Sequence, residues 1–231
     1  MLHQGLTVGD ASPEKGEEGI GMAKVTDVLK AHYKGTFDRF GPTSKGVDWG
    51  DDVRRATLRH QKMLSILADA KGRVSLLDVG CGYGGLLEYA RAQNLDLDYT
   101  GIDVAENMIS WAQANQDGGT FVLGDILETD LGRTFDFIVC NGILTQKLSV
   151  SNRDMDGFAQ RLIRRVFDLC TRGVAFNVMT NRVNFYADNL YYRSPVELLG
   201  WCMDELTVHV RLDHSYPLYE FTTYLFKDPS Q

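Results

Sequence analysis

Short apolar runs alternate with stretches of helical spacing along most of this chain. An apolar run bounded by turn residues predicts a buried strand, and apolar residues three and four positions apart predict a helix. The predicted strands cover residues 74–79, 97–102, 119–123, 134–140 and 173–179, and the predicted helices cover 84–93, 105–115, 155–171 and a short segment from Pro195 to Trp201. Such alternation is typical of an α/β fold in which right-handed helical crossovers join parallel strands.

The two ends of the chain depart from this alternation. Residues 206–212 and 218–226 have the composition of strands, and the short connection between them permits only an antiparallel pair. Helical spacing over 25–40 predicts one helix or two, and a second helical pattern runs over about 52–70. We therefore predict a Rossmann-like doubly wound α/β sheet, mostly parallel, with a C-terminal antiparallel hairpin strand and an N-terminal helical cap.

The 231 residues suit a single α/β domain better than two independent domains. Residues 1–21 are rich in Gly and Glu and have few large apolar side chains, so we expect a disordered tail there. Residues 22–72 would form the helical cap, and residues 73–231 would form the core. Met22 stands just before the first helical pattern, which leaves open whether translation begins there or at Met1.

Composition excludes several classes of function. A formal net charge of −7 disfavours an extended nucleic-acid surface, because phosphate binding requires clustered Lys and Arg. The four cysteines form no C-x-x-C pair and no zinc-site spacing, which predicts a reducing compartment and no metal. No apolar stretch is long enough to span a bilayer. We expect a cytoplasmic protein without nucleic-acid or membrane partners.

The first predicted strand ends in a turn that contains Asp78, Gly80, Gly82 and Gly84. Glycines let the backbone turn tightly and approach a ligand closely, and the start of the next helix presents unpaired N–H groups to an anionic group. Two cofactors fit this geometry, because Gly80, Gly82 and Gly85 also satisfy the dinucleotide pattern G-x-G-x-x-G. Asp78 favours a positively charged cofactor over a dinucleotide, since a carboxylate at this position would lie close to the pyrophosphate of a dinucleotide.

At these residues the chain resembles the class I S-adenosylmethionine (SAM)-dependent methyltransferases, whose glycine loop has the pattern D/E-x-G-x-G-x-G. Three further segments match in order: a second strand ending at Asp103, the segment Gly124-Asp125-Ile126, and a fourth strand ending at Asn141. The resemblance covers residues 74–226 and implies that SAM is the cofactor, that Asp103 holds both ribose hydroxyls, and that the segment at Asp125 reads the adenine amino group. The implied cofactor-binding residues are Asp78, Gly80, Cys81, Gly82, Gly84, Asp103, Val104, Met108, Asp125, Ile126 and Asn141.

Several of these residues also have a simpler interpretation. Asp103 could cap the helix that follows it, and Asp125 could be a turn residue. Cys81 and Cys140 flank the predicted site, but cysteine commonly packs as a small buried apolar side chain. Four segments in the correct order nevertheless favour the methyltransferase family over a chance match to a glycine pattern.

Ligands of a doubly wound sheet bind at the carboxyl ends of its parallel strands, which selects the segment 181–193 for acceptor recognition. This segment is polar and aromatic, although a packed surface loop that covers the sheet edge would have the same composition. The resemblance implies that the N-terminal helices cover cofactor and substrate and could bring Tyr33, Trp49 and Arg59 near the site. The alternative is ordinary packing of the two aromatic rings and a solvent-exposed Arg59. The predicted substrate-binding residues are Tyr33, Trp49, Tyr186, Tyr191, Tyr192 and Tyr216.

His214 is the preferred general base, because imidazole titrates near neutrality and the terminal hairpin would bring His214 to the same edge of the sheet. The alternatives are that His214 is a surface histidine, that it forms a hydrogen bond to the substrate, or that the base lies elsewhere, such as at Asp188. His32 and His209 have weaker positional support. After the fourth strand the chain reads Asn141-Gly142-Ile143-Leu144, where amino-methylating nucleic-acid enzymes carry N/D-P-P-Y/F. This departure argues against base amines as substrates.

The sequence thus predicts a SAM-dependent methyltransferase that acts on a small polar metabolite, a sugar derivative or a natural-product intermediate. Transfer to oxygen or nitrogen by direct in-line displacement is favoured, because the sulfonium is already a strong electrophile. Three alternatives remain: a non-catalytic methyltransferase-like binding or regulatory subunit, a nicotinamide-dependent oxidoreductase, and a protein-modifying enzyme whose aromatic loop grips an exposed side chain. Asp78 and the terminal hairpin disfavour the oxidoreductase.

Overall fold

The computed structural model describes residues 23–228, which form one eight-stranded sheet flanked by helices. The strands are β1 (Val74–Val79), β2 (Leu97–Asp103), β3 (Gly119–Leu123), β4 (Phe135–Leu144), β5 (Cys170–Thr180), β6 (Tyr192–Arg193), β7 (Val210–Asp213) and β8 (Glu220–Phe226). The helices are α1 (Ala23–Phe40), α2 (Val53–Leu64), α3 (Gly85–Ala92), α4 (Glu106–Asn115), α5 (Asn152–Leu169) and α6 (Pro195–Glu205). The tail expected over 1–21 lies outside the described residues.

The sheet has the strand order β3-β2-β1-β4-β5-β8-β7, and the short strand β6 also pairs with β5. All neighbours from β3 to β5 are parallel, whereas β8 is antiparallel to β5 and β7 is antiparallel to β8. The predicted doubly wound sheet with a closing antiparallel hairpin is confirmed. The central strands are apolar along both faces because helices cover both sides of the sheet.

Local interactions explain where the elements differ from the predicted boundaries. α5 begins three residues early because the Ser151 hydroxyl accepts the amide of Asp154 as an N-cap. α2 ends at Leu64, where a short 3₁₀ turn takes over and the Ser65 hydroxyl donates to the carbonyl of Lys62. β4 extends to Leu144 through an irregularity after Cys140, where its register against β5 shifts.

The N-terminal helices lie across the carboxyl ends of the parallel strands. α1 packs against α4 and α5, and α2 packs against α3 and β4. Two polar contacts tie this cap to the loops after the strands: the Thr26 hydroxyl donates to Asp125 at 2.9 Å, and the Gln146 amide donates to Asp48 at 2.8 Å. The division of the chain at residue 72 stays a prediction.

Residues 23–228 contain neither a membrane-spanning helix nor a cluster of metal ligands. No helix in this range is both long and apolar enough to cross a bilayer. The same range contains no group of three or more His, Cys, Asp or Glu side chains arranged to hold a metal ion.

Candidate active site

A cavity lies between the helical cap and the carboxyl ends of β1, β2 and β4. Its empty space is about 1080 Å³, which includes the open mouth. The position is the one that a doubly wound sheet offers to a ligand, because parallel strands meet helix N-termini at this edge.

The glycine loop after β1 forms the floor of the cavity. Gly80, Gly82 and Gly84 have φ angles of +71°, +54° and +89°, a region that only glycine enters without strain. The Gly80 amide donates to the Ile102 carbonyl at 2.8 Å, which holds the turn against β2. A Cβ added at Gly80 would lie 2.7 Å from the Ile143 side chain, so a residue with a side chain does not fit here without moving Ile143.

Asp103, at the end of β2, connects the glycine loop to α4. Its carboxylate accepts the amide of Gly82 at 2.9 Å and the amide of Ala105 at 2.8 Å. Burial raises the pKa of Asp103, and these amides partly oppose the increase. The Asp103 side chain holds the start of α4, as the simpler interpretation predicted, and it also lines the cavity, where the sequence predicts a contact with the cofactor.

Asp78 lies beneath the glycine loop and also lines the cavity. It is buried, and the Tyr99 hydroxyl donates to it at 2.7 Å. Burial is the main reason that the pKa of Asp78 rises to about 7, and the charge of Asp103 acts in the same direction. The carboxyl therefore titrates near neutral pH, unlike an exposed aspartate.

The far side of the cavity is built by the turn after β3. Asp125 accepts the amide of Leu127 at 2.9 Å, as a turn residue does, and it also accepts the hydroxyl of Thr26 from the cap.

Of the eleven cofactor-binding residues predicted from the sequence, ten line this one cavity. Gly84 does not, because it is the N-cap residue of α3 and faces Phe121 and Gln116.

The cysteines near the loop pack as the simpler interpretation suggested. Cys81 and Cys140 are both buried, and burial raises the pKa of each thiol. Thiols in this state are poor nucleophiles.

The cap contributes aromatic and polar side chains to the wall of the cavity. Tyr33 and Trp49 line the cavity, as the sequence predicted, and so does His60, which the sequence analysis missed. The His60 ring lies 5.3 Å from the Trp49 ring and 5.8 Å from the Tyr89 ring. Burial, followed by the nearby Arg59 charge, lowers the pKa of His60 to about 4, so the ring is neutral at pH 7.

Asn141 lies in the irregular part of β4, close to His60. Its Nδ2 atom is 3.4 Å from the His60 Nδ1 atom. Its Oδ1 atom is buried and has no hydrogen-bond partner among the described residues. A buried, unpaired acceptor on a cavity wall is expected where a ligand supplies the missing donor.

His214 lies outside this cavity. It is exposed and lines a separate depression with Lys62 and Asp213. β7 runs in the same direction as β5, so its carboxyl end is at the expected edge of the sheet, but β8 lies between β7 and β5. Two strand spacings shift the end of β7 sideways by roughly 10 Å.

Four of the six predicted substrate-binding residues, all of them tyrosines, also lie off the cavity wall. Tyr191 is buried and donates to Asp156 at 2.6 Å, and the hydroxyl of Tyr216 shares a hydrogen bond with Thr222 at 2.8 Å. Tyr186 is exposed and packs edge-on against Tyr192, with the ring centroids 4.9 Å apart. The segment 181–193 therefore has the packing of a surface loop, the alternative that its composition left open.

Comparison with known proteins identifies the family. The family model of the methyltransferase domain matches residues 76–167. Rv1506c of Mycobacterium tuberculosis, which is named as a methyltransferase, is 32% identical over 158 residues, a match that covers 68% of this chain and 95% of that protein.

Two solved structures show the same fold. Magnesium protoporphyrin IX methyltransferase from Synechocystis PCC 6803, with bound SAM, has a TM-score of 0.63 at 16% identity, covering 92% of this chain and all of that one. A plantazolicin methyltransferase in complex with S-adenosylhomocysteine (SAH) has a TM-score of 0.56 at 14% identity, covering 90% of this chain and 100% of that one. The sequence matches and the fold decide between the two cofactors that the glycine pattern left open: the chain belongs to the class I SAM-dependent methyltransferases, and its cofactor is SAM.

Proposed function

We propose that this methyltransferase transfers a methyl group to an oxygen or nitrogen atom of a small polar metabolite, a sugar derivative or a natural-product intermediate. The observation that supports this most directly is that the cap covers one side of the cavity and lines it with Tyr33, Trp49 and His60. An enclosed acceptor side suits a small molecule better than the surface of a macromolecule. The net charge of −7 also opposes a nucleic-acid acceptor.

The residues of the cavity fit SAM. Gly80 and Gly82 line the cavity without a side chain, and each oxygen of Asp103 keeps an acceptor site after bonding one amide. We propose that the glycine-loop amides take the carboxylate, that Asp103 holds the ribose hydroxyls, and that Asp125 and Ile126 contact the adenine. Bound SAM supplies an activated methyl group on a sulfonium.

On the acceptor side we assign hydrogen bonding of the nucleophile to His60 and Asn141, and not to His214. A ring with a pKa of about 4 is a weak base at neutral pH, so His60 orients the acceptor more effectively than it removes a proton. The unpaired Oδ1 of Asn141 can accept a hydrogen bond from an O–H or N–H group. Holding the nucleophile in line with the methyl group then provides most of the acceleration.

Calorimetric titration with SAM, SAH and NAD, followed by a labelled-methyl transfer screen, tests this function. We expect micromolar binding of SAM and SAH, no binding of NAD, and transfer to a hydroxyl or amine compound in a metabolite panel that includes sugars and phenols. Transfer only to protein or nucleic acid would contradict the acceptor class. Cofactor binding with no transfer to any acceptor would favour a non-catalytic subunit.

Protonation of Asp78 is expected to weaken cofactor binding. Its ionised form favours the cationic end of SAM, so affinity should fall by about tenfold between pH 8 and pH 6 as Asp78 protonates through a pKa of about 7. Calorimetry across this range checks the effect, with Asp78→Asn as the control that lacks the titrating group. Equal pH dependence of the two proteins would show that another group is responsible.

Replacing His60 with phenylalanine is expected to lower kcat/KM for the acceptor by about tenfold, because one hydrogen bond to the nucleophile is lost. The affinity for SAH should stay within about twofold, since His60 lies on the acceptor side. His214→Phe provides the contrast and should retain activity. Loss of activity in His214→Phe together with full activity in His60→Phe would restore the assignment from sequence.

A further inference from the structure

We propose that Arg59 and Glu220, a buried ion pair between the cap and strand β8, are positioning residues for the acceptor side of the cavity. The proposal rests on the acceptor side assigned above. Arg59 Nε lies 2.8 Å from Glu220 Oε1, and the two side chains are 14% and 1% exposed. Neither residue lines the cavity, so the pair acts through its neighbours.

The ion pair belongs to a network of contacts with two branches. One branch runs from Glu220 through Asn177 to Gly142, in the irregular part of β4. The Asn177 amide donates to Glu220 Oε2 at 2.8 Å, and Asn177 Oδ1 accepts the amide of Gly142 at 2.7 Å. Gly142 has a φ of +92° and lies in the irregular part of β4, next to Asn141. The Glu220 carboxylate therefore holds the turn that presents Asn141 to the cavity.

The other branch runs from Arg59 to Trp49. The Arg59 guanidinium lies over the Trp49 ring, 5.2 Å from its centroid. In the branch that starts at Glu220, a Cβ added at Gly142 would lie 2.9 Å from Trp49 Nε1. Trp49 is therefore held between Arg59 and Gly142. Since His60 directly follows Arg59 on α2 and contacts Trp49, the same pair determines where both rings lie.

Charge attraction, more than directional bonding, holds the pair together. Among the described residues, neither Arg59 Nε nor Glu220 Oε1 has an aligned hydrogen-bond partner, although the two atoms are close. A buried pair of this kind contributes little net stability, because removing both charges from water offsets their attraction. Its main consequence is geometric: the cap and β4 are held in one relative position.

Glu220→Gln tests the proposal, because it removes the charge and keeps a carbonyl oxygen for Asn177. The matched control is Asp213→Asn, which removes another ion pair from α2 to the hairpin: Lys62 to Asp213, at 2.7 Å. That pair lies at the separate depression and not at the cavity. Both variants are made in a protein with Trp111→Phe and Trp201→Phe, so that Trp49 is the remaining tryptophan of the chain.

Three measurements decide the outcome. Acrylamide quenching of Trp49 fluorescence should increase by about twofold in Glu220→Gln and stay unchanged in Asp213→Asn, because Arg59 no longer covers the ring. Calorimetry should give SAH affinities within about twofold of the parent for both variants. For an acceptor from the transfer screen, kcat/KM should fall by about tenfold or more in Glu220→Gln alone, because the acceptor is misplaced.

Parental quenching in Glu220→Gln would overturn the proposal, and so would an equal loss of SAH affinity, which would indicate a general structural role. If Glu220→Gln does not fold, Arg59→Lys replaces it, since lysine keeps the charge but not the planar group over Trp49. Unchanged quenching in that variant also overturns the proposal. Absence of SAH binding in the parent protein would instead count against the proposed function.

Discussion

Replacing Asp103 with alanine is expected to weaken SAH binding by about tenfold to a hundredfold. A hydrogen bond to a charged group contributes about 1.5–3 kcal/mol, and each 1.4 kcal/mol changes an equilibrium constant tenfold. The variant loses the proposed ribose contact, and the amides of Gly82 and Ala105 lose their shared acceptor. Calorimetric titration of the purified variant with SAH measures the loss.

A control on the same strand separates the cofactor contact from general damage to β2. Asp98 also carries a charge on β2, but it is exposed and pairs with Arg133 at 2.7 Å, away from the cavity. Asp98→Ala should bind SAH with unchanged affinity. If Asp103→Ala binds SAH as tightly as the natural protein, the ribose assignment is wrong.

Replacing Gly80 with alanine is expected to reduce SAH affinity by more than about tenfold and to lower stability as well. The residue has a φ of +71°, and a left-handed conformation costs an alanine roughly 1–2 kcal/mol. The new Cβ would lie 2.7 Å from the Ile143 side chain. Ile143 lines the cavity, so moving it away from the new methyl group changes the space left for the ligand.

Gly72→Ala is the matched control, because Gly72 also has a φ of +71° but nothing lies within 4 Å of an added Cβ. It should show the strain alone: a loss of stability of about 1 kcal/mol with SAH affinity unchanged. Thermal unfolding and calorimetry on both variants separate the two effects. Equal behaviour of the two variants would mean that the close approach at Gly80 has no part in cofactor binding.

Most of the fold could be predicted from the sequence because its signals are local. Apolar runs define β1 to β5, and the short connection before β8 requires an antiparallel pair. The boundaries that were missed depend on single hydrogen bonds, such as the Ser151 cap of α5. The extension of β4 could not be predicted, because an irregular strand is held by its neighbours.

The floor of the cavity was also predictable, but most of the acceptor side was not. Closely spaced glycines predict a tight turn whatever surrounds them, so the turn at Gly80 and Gly82 could be recognised from its own residues, and both have a positive φ. An aromatic residue has the same signature whether it packs or binds, and Tyr191 packs against Asp156. His60 is at helical spacing from Ala56 and Met63, which shows that it shares their face but not what that face covers.

The sequence by itself determined the family, the parallel sheet and the glycine loop, because periodicity and glycine conformation are properties of neighbouring residues. Only the tertiary structure decided which side chains meet across the chain. Placing β8 between β5 and β7 moved His214 away from the cavity, and packing α2 over β4 brought His60 to Asn141. Such pairings depend on strand order and helix docking, which minimise exposed apolar surface over the whole molecule and leave no mark in any one segment.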